Sequence, residues 1–132
     1  MIKGVDHISI VVKNLEEGLE VYEKLLGIKH SHQETLADQG VKAAMIMVGN
    51  VEVELIEPLS ADSGVGKFLE KKGEGIHHIC LRVDDVDKEL EAMSGKGIDL
   101  IDKKGRKGLA GKVGFLHPRS TNGVLIELAQ KV

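Results

Sequence analysis

Two histidines of this chain occupy matched positions of an internal repeat and could act as metal ligands. Residues 4–14 align without gaps with residues 75–85, and the alignment places His7 over His78. The adjacent His77 has no histidine counterpart in the first copy. Because only one histidine of the pair recurs, the repeat assigns the shared role to His78.

Two glutamates recur in the same way, since residues 51–55 align with residues 124–128 and place Glu54 over Glu127. Two imidazoles and two carboxylates suit Co2+, Mn2+, Ni2+, Zn2+ or Fe2+, with coordination positions left for water or substrate. A lone strand histidine is more often a core or surface residue, and a strand glutamate usually lies on a solvated face. The matched recurrence of all four residues therefore carries the prediction of a divalent metal site: His7, Glu54, His78 and Glu127.

The segments that must position these residues have the alternation of β-strands. In residues 5–12, His7 and Ser9 share one face, while Ile8, Ile10 and Val12 form an apolar face that we expect to meet a helix.

Helix signals follow each repeated strand. Asn14 is a suitable N-cap for a helix that ends at Gly27, and Asp85 is the corresponding cap in the second copy. Residues 62–72 are expected to form a short helix between the copies.

Strand-like segments follow each of the two repeated helices, so each copy is read as β-α-β-β-β. They are residues 32–35, 41–48 and 51–57 in the first copy, and 100–102, 113–117 and 124–129 in the second. The pairs Gly49-Asn50 and Asn122-Gly123 are expected to form the tight turns between the last two strands of each copy. The prediction is an α+β fold, with one domain over residues 1–132 built from two modules, about 1–72 and 73–132.

Composition narrows the possible partners. A net charge of −3 and only three aromatic residues provide neither a basic surface nor a stacking platform for nucleic acid. The single cysteine, Cys80, excludes an intrachain disulfide, and no apolar run reaches the span of a bilayer. We therefore expect a cytoplasmic protein without nucleic-acid or membrane partners.

Several other reactive residues lack a repeat partner. Cys80 shares the face of His78 and is expected to behave as a buried apolar residue. Surface or turn roles are expected for His30, His32 and His117. Residues 103–112 carry five cations among glycines, which is compatible with either a solvated loop or a loop that binds a nucleotide phosphate.

The chain resembles the vicinal-oxygen-chelate superfamily and, within it, the methylmalonyl-CoA epimerases. The paired modules and the four repeated residues support the wider resemblance. The narrower one rests on Asp6-His7-Ile8, on Gly75-Ile76-His77-His78-Ile79, and above all on residues 115–120, Phe-Leu-His-Pro-Arg-Ser, with residues 123–128.

The resemblance implies a partly open mixed β-barrel of the glyoxalase type around a divalent metal, with Co2+ expected first and Mn2+, Ni2+ or Zn2+ as alternatives. It implies an isomerase that interconverts (R)- and (S)-methylmalonyl-CoA by removing and returning the C2 proton through a metal-stabilised enolate. A homodimer and a small-molecule CoA thioester substrate are implied as well.

The resemblance also assigns catalytic roles, with one departure. Glu127 is the expected base, acting as or beside a metal ligand, and Glu54 is expected on the opposite face of the substrate. A further base found in some members falls here on Ala43, which cannot carry a proton. Two alternatives stay open: a glyoxalase I-type lactoylglutathione lyase that uses the same four residues, and a metal-free small-molecule binding protein of the same fold. An extradiol dioxygenase fits less well because Glu54 would be surplus.

Overall fold

The computed structural model describes residues 1–108 and 111–131. The chain forms two compact units. The first unit is His7–His77, and the second consists of Met1–Asp6 together with the described part of His78–Val132. Two strands pass from one unit into the other, and each does so immediately before a predicted metal ligand.

Within the described residues, eight strands and three α-helices follow one another in the order that the repeat predicts. They are β1 (Ile2–Val11), α1 (Leu15–Leu26), β2 (His32–Leu36), β3 (Val41–Val48), β4 (Val51–Pro58), α2 (Gly64–Lys72), β5 (Gly75–Val83), α3 (Val86–Gly95), β6 (Arg106–Gly108), β7 (Gly111–Leu116) and β8 (Ile126–Gln130). Short 3-10 turns lie at Ala37–Gln39 and Pro118–Ser120.

In the first unit the strands lie in the order β2-β3-β4-β1. The β2–β3 and β3–β4 pairs are antiparallel and the β4–β1 pair is parallel. Val12 and Ile10 pack against Leu15 and Leu19 of α1, as the apolar face of β1 predicts. Helix α2 contributes Phe68 and other residues to a separate cluster.

The second unit repeats this arrangement with the order β5-β8-β7-β6. The β5–β8 pair is parallel, while β8–β7 and β7–β6 are antiparallel. Its core joins Val86 and Leu90 of α3 to Leu116 and Leu128. The predicted α+β class and the repeated βαβββ order are confirmed.

The helices begin where their capping residues predict. The Asn14 side chain accepts a hydrogen bond from the Glu17 amide at 2.9 Å, and the Asp85 carboxylate accepts one from the Lys88 amide at 3.1 Å. Gly27 ends α1 in the left-handed conformation, with φ of 68°. The predicted starts of α1 and α3 and the predicted end of α1 are confirmed.

The prediction of a strand at residues 100–102 is wrong. Only Leu100 forms an isolated bridge, with Leu116. The carboxylate of Asp102 instead accepts a hydrogen bond from the Phe115 amide at 2.8 Å, and such side-chain bonding replaces a regular ladder. The strand of this region is β6, inside the basic segment interpreted above as a loop. Leu109 and Ala110 of that segment lie outside the described residues.

The two predicted tight turns have different outcomes. Gly49 and Asn50 join β3 directly to β4, as predicted. Asn122 and Gly123 do have positive φ, but the connection from β7 to β8 spans residues 117–125 and contains a 3-10 turn. The His117 ring nitrogen Nδ1 accepts a hydrogen bond from the Arg119 amide at 3.1 Å, which stabilises this longer turn.

Candidate active site

The first unit brings together one histidine and one glutamate of the predicted set. His7 lies on β1 and Glu54 on β4, and the two side chains are 7% and 6% exposed. Their potential ligand atoms lie within 4.8 Å of each other. The parallel register pairs Ser9 with Glu54, so His7, two residues before Ser9, lies on the same sheet face as Glu54.

Ser9 is a site residue that the sequence interpretation did not single out. Its hydroxyl is fully buried and donates a hydrogen bond to Oε1 of Glu54. A buried carboxylate must satisfy its oxygens with donors or cations, and Ser9 supplies one such donor. The sequence feature that could have identified Ser9 is its position two residues after His7, on the same face of β1.

The second unit brings together the repeat partners of these residues. His78 on β5 and Glu127 on β8 are each 8% exposed, and Nε2 of His78 lies 3.2 Å from Oε1 of Glu127. In the β5–β8 register, Cys80 lies opposite Glu127, the position that Ser9 has opposite Glu54. The two units therefore share the histidine and the glutamate, but the residue opposite the glutamate is a serine in the first unit and a cysteine in the second.

The Phe115 ring flanks this second histidine–glutamate pair. Its ring centroid lies 5.6 Å from that of His78, in an edge-to-face arrangement. The β7–β8 register places Phe115 opposite Glu127. An aromatic ring in this position shields the pair from water on one side.

The two adjacent histidines of β5 have different surroundings. His77 packs edge-to-face against Phe68 of α2, with ring centroids 4.9 Å apart. His78 instead lies beside the buried carboxylate of Glu127. The separate roles that the repeat predicts for the two histidines stay a prediction.

Both histidine–glutamate pairs fit the chemistry of a divalent cation. Nitrogen and oxygen ligands bind Zn2+ at about 2.0–2.2 Å, so adjacent ligand atoms lie about 3 Å apart. The separation of 3.2 Å between His78 and Glu127 meets this requirement. Two buried carboxylates also favour a cation, because burial of an uncompensated negative charge is costly.

Other candidate residues have different contacts. A carboxylate oxygen of Asp6 lies within 4.8 Å of the Cys80 sulfur, but Asp6 also forms an ion pair with Lys131 at 3.0 Å. Cys80 is fully buried among Val113 and Ala129, as expected for an apolar role. Ala43 is fully buried in an apolar cluster of the first unit, and its methyl side chain carries no proton.

The three remaining histidines lie outside the two pairs. The His30 amide donates a hydrogen bond to the Glu23 carboxylate at 2.7 Å, and this bond, together with His30 Nδ1 at 3.1 Å, lowers the pKa of the Glu23 carboxyl group. His32 contacts Glu34 at 2.9 Å near the protein surface. The surface or turn roles expected for His30, His32 and His117 are consistent with these contacts.

No helix in the described part of the chain is long and apolar enough to cross a membrane.

Comparison with known proteins identifies the family. The model of the Glyoxalase/Bleomycin resistance protein/Dioxygenase superfamily matches residues 6–115. The chain is 37% identical to the mitochondrial methylmalonyl-CoA epimerase of Homo sapiens, over 96% of this chain and 73% of the relative. It is 36% identical to the ethylmalonyl-CoA/methylmalonyl-CoA epimerase of Cereibacter sphaeroides, over 98% of this chain and 99% of the relative.

A solved structure agrees with these sequence relatives. A methylmalonyl-CoA epimerase in complex with methylmalonyl-CoA and NH4+ is 35% identical, with a TM-score of 0.92, over 100% of this chain and 96% of that one. The predicted glyoxalase-type fold is thus confirmed. The chain belongs to the glyoxalase/bleomycin resistance protein/dioxygenase superfamily and, within it, to the methylmalonyl-CoA epimerase family.

Proposed function

We propose that this protein is a metal-dependent methylmalonyl-CoA epimerase that interconverts the (R) and (S) epimers of methylmalonyl-CoA. The observation that carries the proposal is the pair of buried histidine–glutamate contacts at matched positions of the repeat. The full-length similarity to methylmalonyl-CoA epimerases, one of them solved with methylmalonyl-CoA, supports the same substrate.

The proposed ligand set is His7, Glu54, His78 and Glu127. Their burial and their donor atoms support a divalent cation, and we propose Co2+, with Mn2+, Ni2+ or Zn2+ as alternatives. When bound, the cation would act as a Lewis acid that stabilises negative charge on the substrate oxygens.

Glu127 is proposed as the group that removes the C2 proton. Its buried carboxylate is held beside His78 at 3.2 Å, and the Phe115 ring flanks the pair on one side. A carboxylate in such a fixed, water-poor position is suited to proton transfer over a short distance.

Glu54 is proposed as the group that serves the opposite face of C2. Epimerisation requires a proton donor on the face opposite the base, and Glu54 is the repeat counterpart of Glu127. The hydrogen bond from Ser9 fixes one oxygen of Glu54, which restricts the carboxylate to a defined orientation. Ala43 provides no competing acid or base in this unit.

The decisive experiment follows loss of the C2 proton signal of methylmalonyl-CoA by proton NMR in D2O. Metal-loaded protein is expected to exchange this proton, and protein treated with a chelator is expected to lose the activity until Co2+ is restored. Incubation with methylglyoxal and glutathione tests the glyoxalase I alternative. Absence of C2 exchange by the metal-loaded protein would exclude the epimerase function, and an absence of bound metal would favour the metal-free binding protein.

We further propose a cytoplasmic homodimer. The single cysteine is buried and is not part of a disulfide, as is usual in reducing compartments. The dimer rests on the family resemblance. Light scattering during size-exclusion chromatography would test the dimer.

A further inference from the structure

Arg106, a cation of the basic segment, is held in direct contact with the surroundings of the proposed site. Its Nε donates a hydrogen bond to Oδ1 of Asp102 at 3.2 Å. Its guanidinium group lies 5.5 Å from the centroid of the Phe115 ring, within the range of a cation–π contact. Asp102 also accepts the Phe115 amide at 2.8 Å, so the three residues support one another.

The terminal nitrogens of Arg106 are still available. They make no hydrogen bond within the described ranges, and the side chain is 55% exposed. An arginine whose stem and Nε are already fixed loses little further freedom when its outer N–H groups bind an anion. Arg106 is therefore pre-organised to bind an anion.

The neighbouring cations strengthen this property. Lys103, Lys104 and Lys107 are exposed and form no ion pair within residues 1–108 and 111–131. Lys112 differs, because it bonds to Asp87; this bond lowers the pKa of the Asp87 carboxyl group and raises the pKa of Lys112. Lys103, Lys104 and Lys107 thus add uncompensated positive charge to the segment that contains Arg106.

Phe115 connects Arg106 to the proposed catalytic residues. The same ring that lies beneath the Arg106 guanidinium packs edge-to-face against His78 and lies opposite Glu127 in the β7–β8 register. An anion bound by Arg106 would therefore lie near the aromatic ring that flanks the buried histidine–glutamate pair.

We propose that Arg106 is a binding residue for a phosphate group of the coenzyme A portion of the substrate. This inference rests on the proposed function. The acyl carboxylate is assigned to the buried ligand set, which leaves the phosphates as the other anions of a CoA thioester. The planar fork of outer N–H groups matches two phosphate oxygens, and the exposed position suits a group that remains near solvent.

Binding of free coenzyme A, measured by titration calorimetry, tests this assignment without any need for turnover. Arg106→Ala is expected to weaken binding by about tenfold or more, in line with the loss of a charge-assisted hydrogen bond. Arg106→Lys should recover part of the affinity, because it restores charge but not the fork. Lys67→Ala, which changes an exposed residue of α2, is the matched control and should bind as the wild type does.

A truncated substrate distinguishes the phosphate from the acyl group. The N-acetylcysteamine thioester of methylmalonate has no phosphate, so Arg106→Ala should exchange its C2 proton at the wild-type rate while showing a raised KM for methylmalonyl-CoA. Wild-type affinity of Arg106→Ala for coenzyme A would overturn the proposal, as would an equal defect on both thioesters. If the wild-type protein binds coenzyme A but exchanges the C2 proton of neither thioester, the proposed epimerase function is wrong. The Arg106 assignment is then still tested by the calorimetry.

Discussion

The Ser9 hydroxyl donates a hydrogen bond to Oε1 of Glu54, and both side chains are buried in the first unit. In the second unit, Cys80 occupies the matching register position beside Glu127. A hydroxyl is a good hydrogen-bond donor, whereas a thiol is a weak one. The two carboxylates that the repeat makes equivalent in sequence are thus supported differently in the structure.

Removal of the Ser9 hydroxyl is expected to weaken metal binding. Ser9→Ala leaves Glu54 without this orienting donor, and loss of such a partner typically lowers metal affinity by about 10–100-fold. Titration calorimetry of metal-free protein with Co2+ measures the change. Ser94→Ala, on α3, is the control and should bind Co2+ as the wild type does. Wild-type affinity in Ser9→Ala would show that the hydrogen bond does not serve a metal ligand.

The adjacent histidines of β5 are expected to respond differently to the same substitution. His78→Gln should lose bound metal after dialysis, since His78 contacts Glu127, while His77→Gln should retain it because His77 packs against Phe68. Metal content by mass spectrometry decides between them. The reverse result would mean that the strand register is wrong by one residue, which would invert every face assignment on β5.

Replacement of the proposed base should separate chemistry from metal binding. Glu127→Gln keeps the size of the side chain and an oxygen donor but removes the basic carboxylate. We expect loss of C2 proton exchange in D2O with metal content largely retained. Unchanged exchange in a folded, metal-containing variant would assign the base to another residue.

Two glycines of α2 provide a test of backbone packing. A Cβ at Gly66 would collide with the backbone carbonyl groups of Ser60 and Ala61, whereas a Cβ at Gly64 would meet no atom within 4 Å. Helix propensity favours alanine over glycine by about 1 kcal/mol in a helix interior, the position of Gly66. We expect Gly66→Ala to lower the free energy of unfolding by about 1–3 kcal/mol because the clash outweighs propensity. Gly64→Ala should be neutral or slightly stabilising. Urea unfolding measures the free energy of unfolding of both variants. Equal stability of the two variants would contradict the packing argument.

Local sequence was sufficient for much of the fold. The period-two pattern of β1, the Asn14 cap and the Gly49-Asn50 turn all depend on residues close together in the chain, and each appears as predicted. The repeat adds a longer-range constraint because equal segments favour equal modules. It selects the histidine–glutamate pairs that the structure then places within each unit.

The sequence by itself determined the α+β class, the βαβββ order and the four residues proposed as ligands, because these follow from local periodicity, capping and internal repetition. Only the tertiary structure decided that Ser9 supports Glu54, that β6 replaces the expected strand at residues 100–102, and that Phe115 contacts both His78 and Arg106. These features depend on strand register and on side-chain contacts between distant parts of the chain, where hydrogen bonds and packing select among arrangements that the local pattern permits equally.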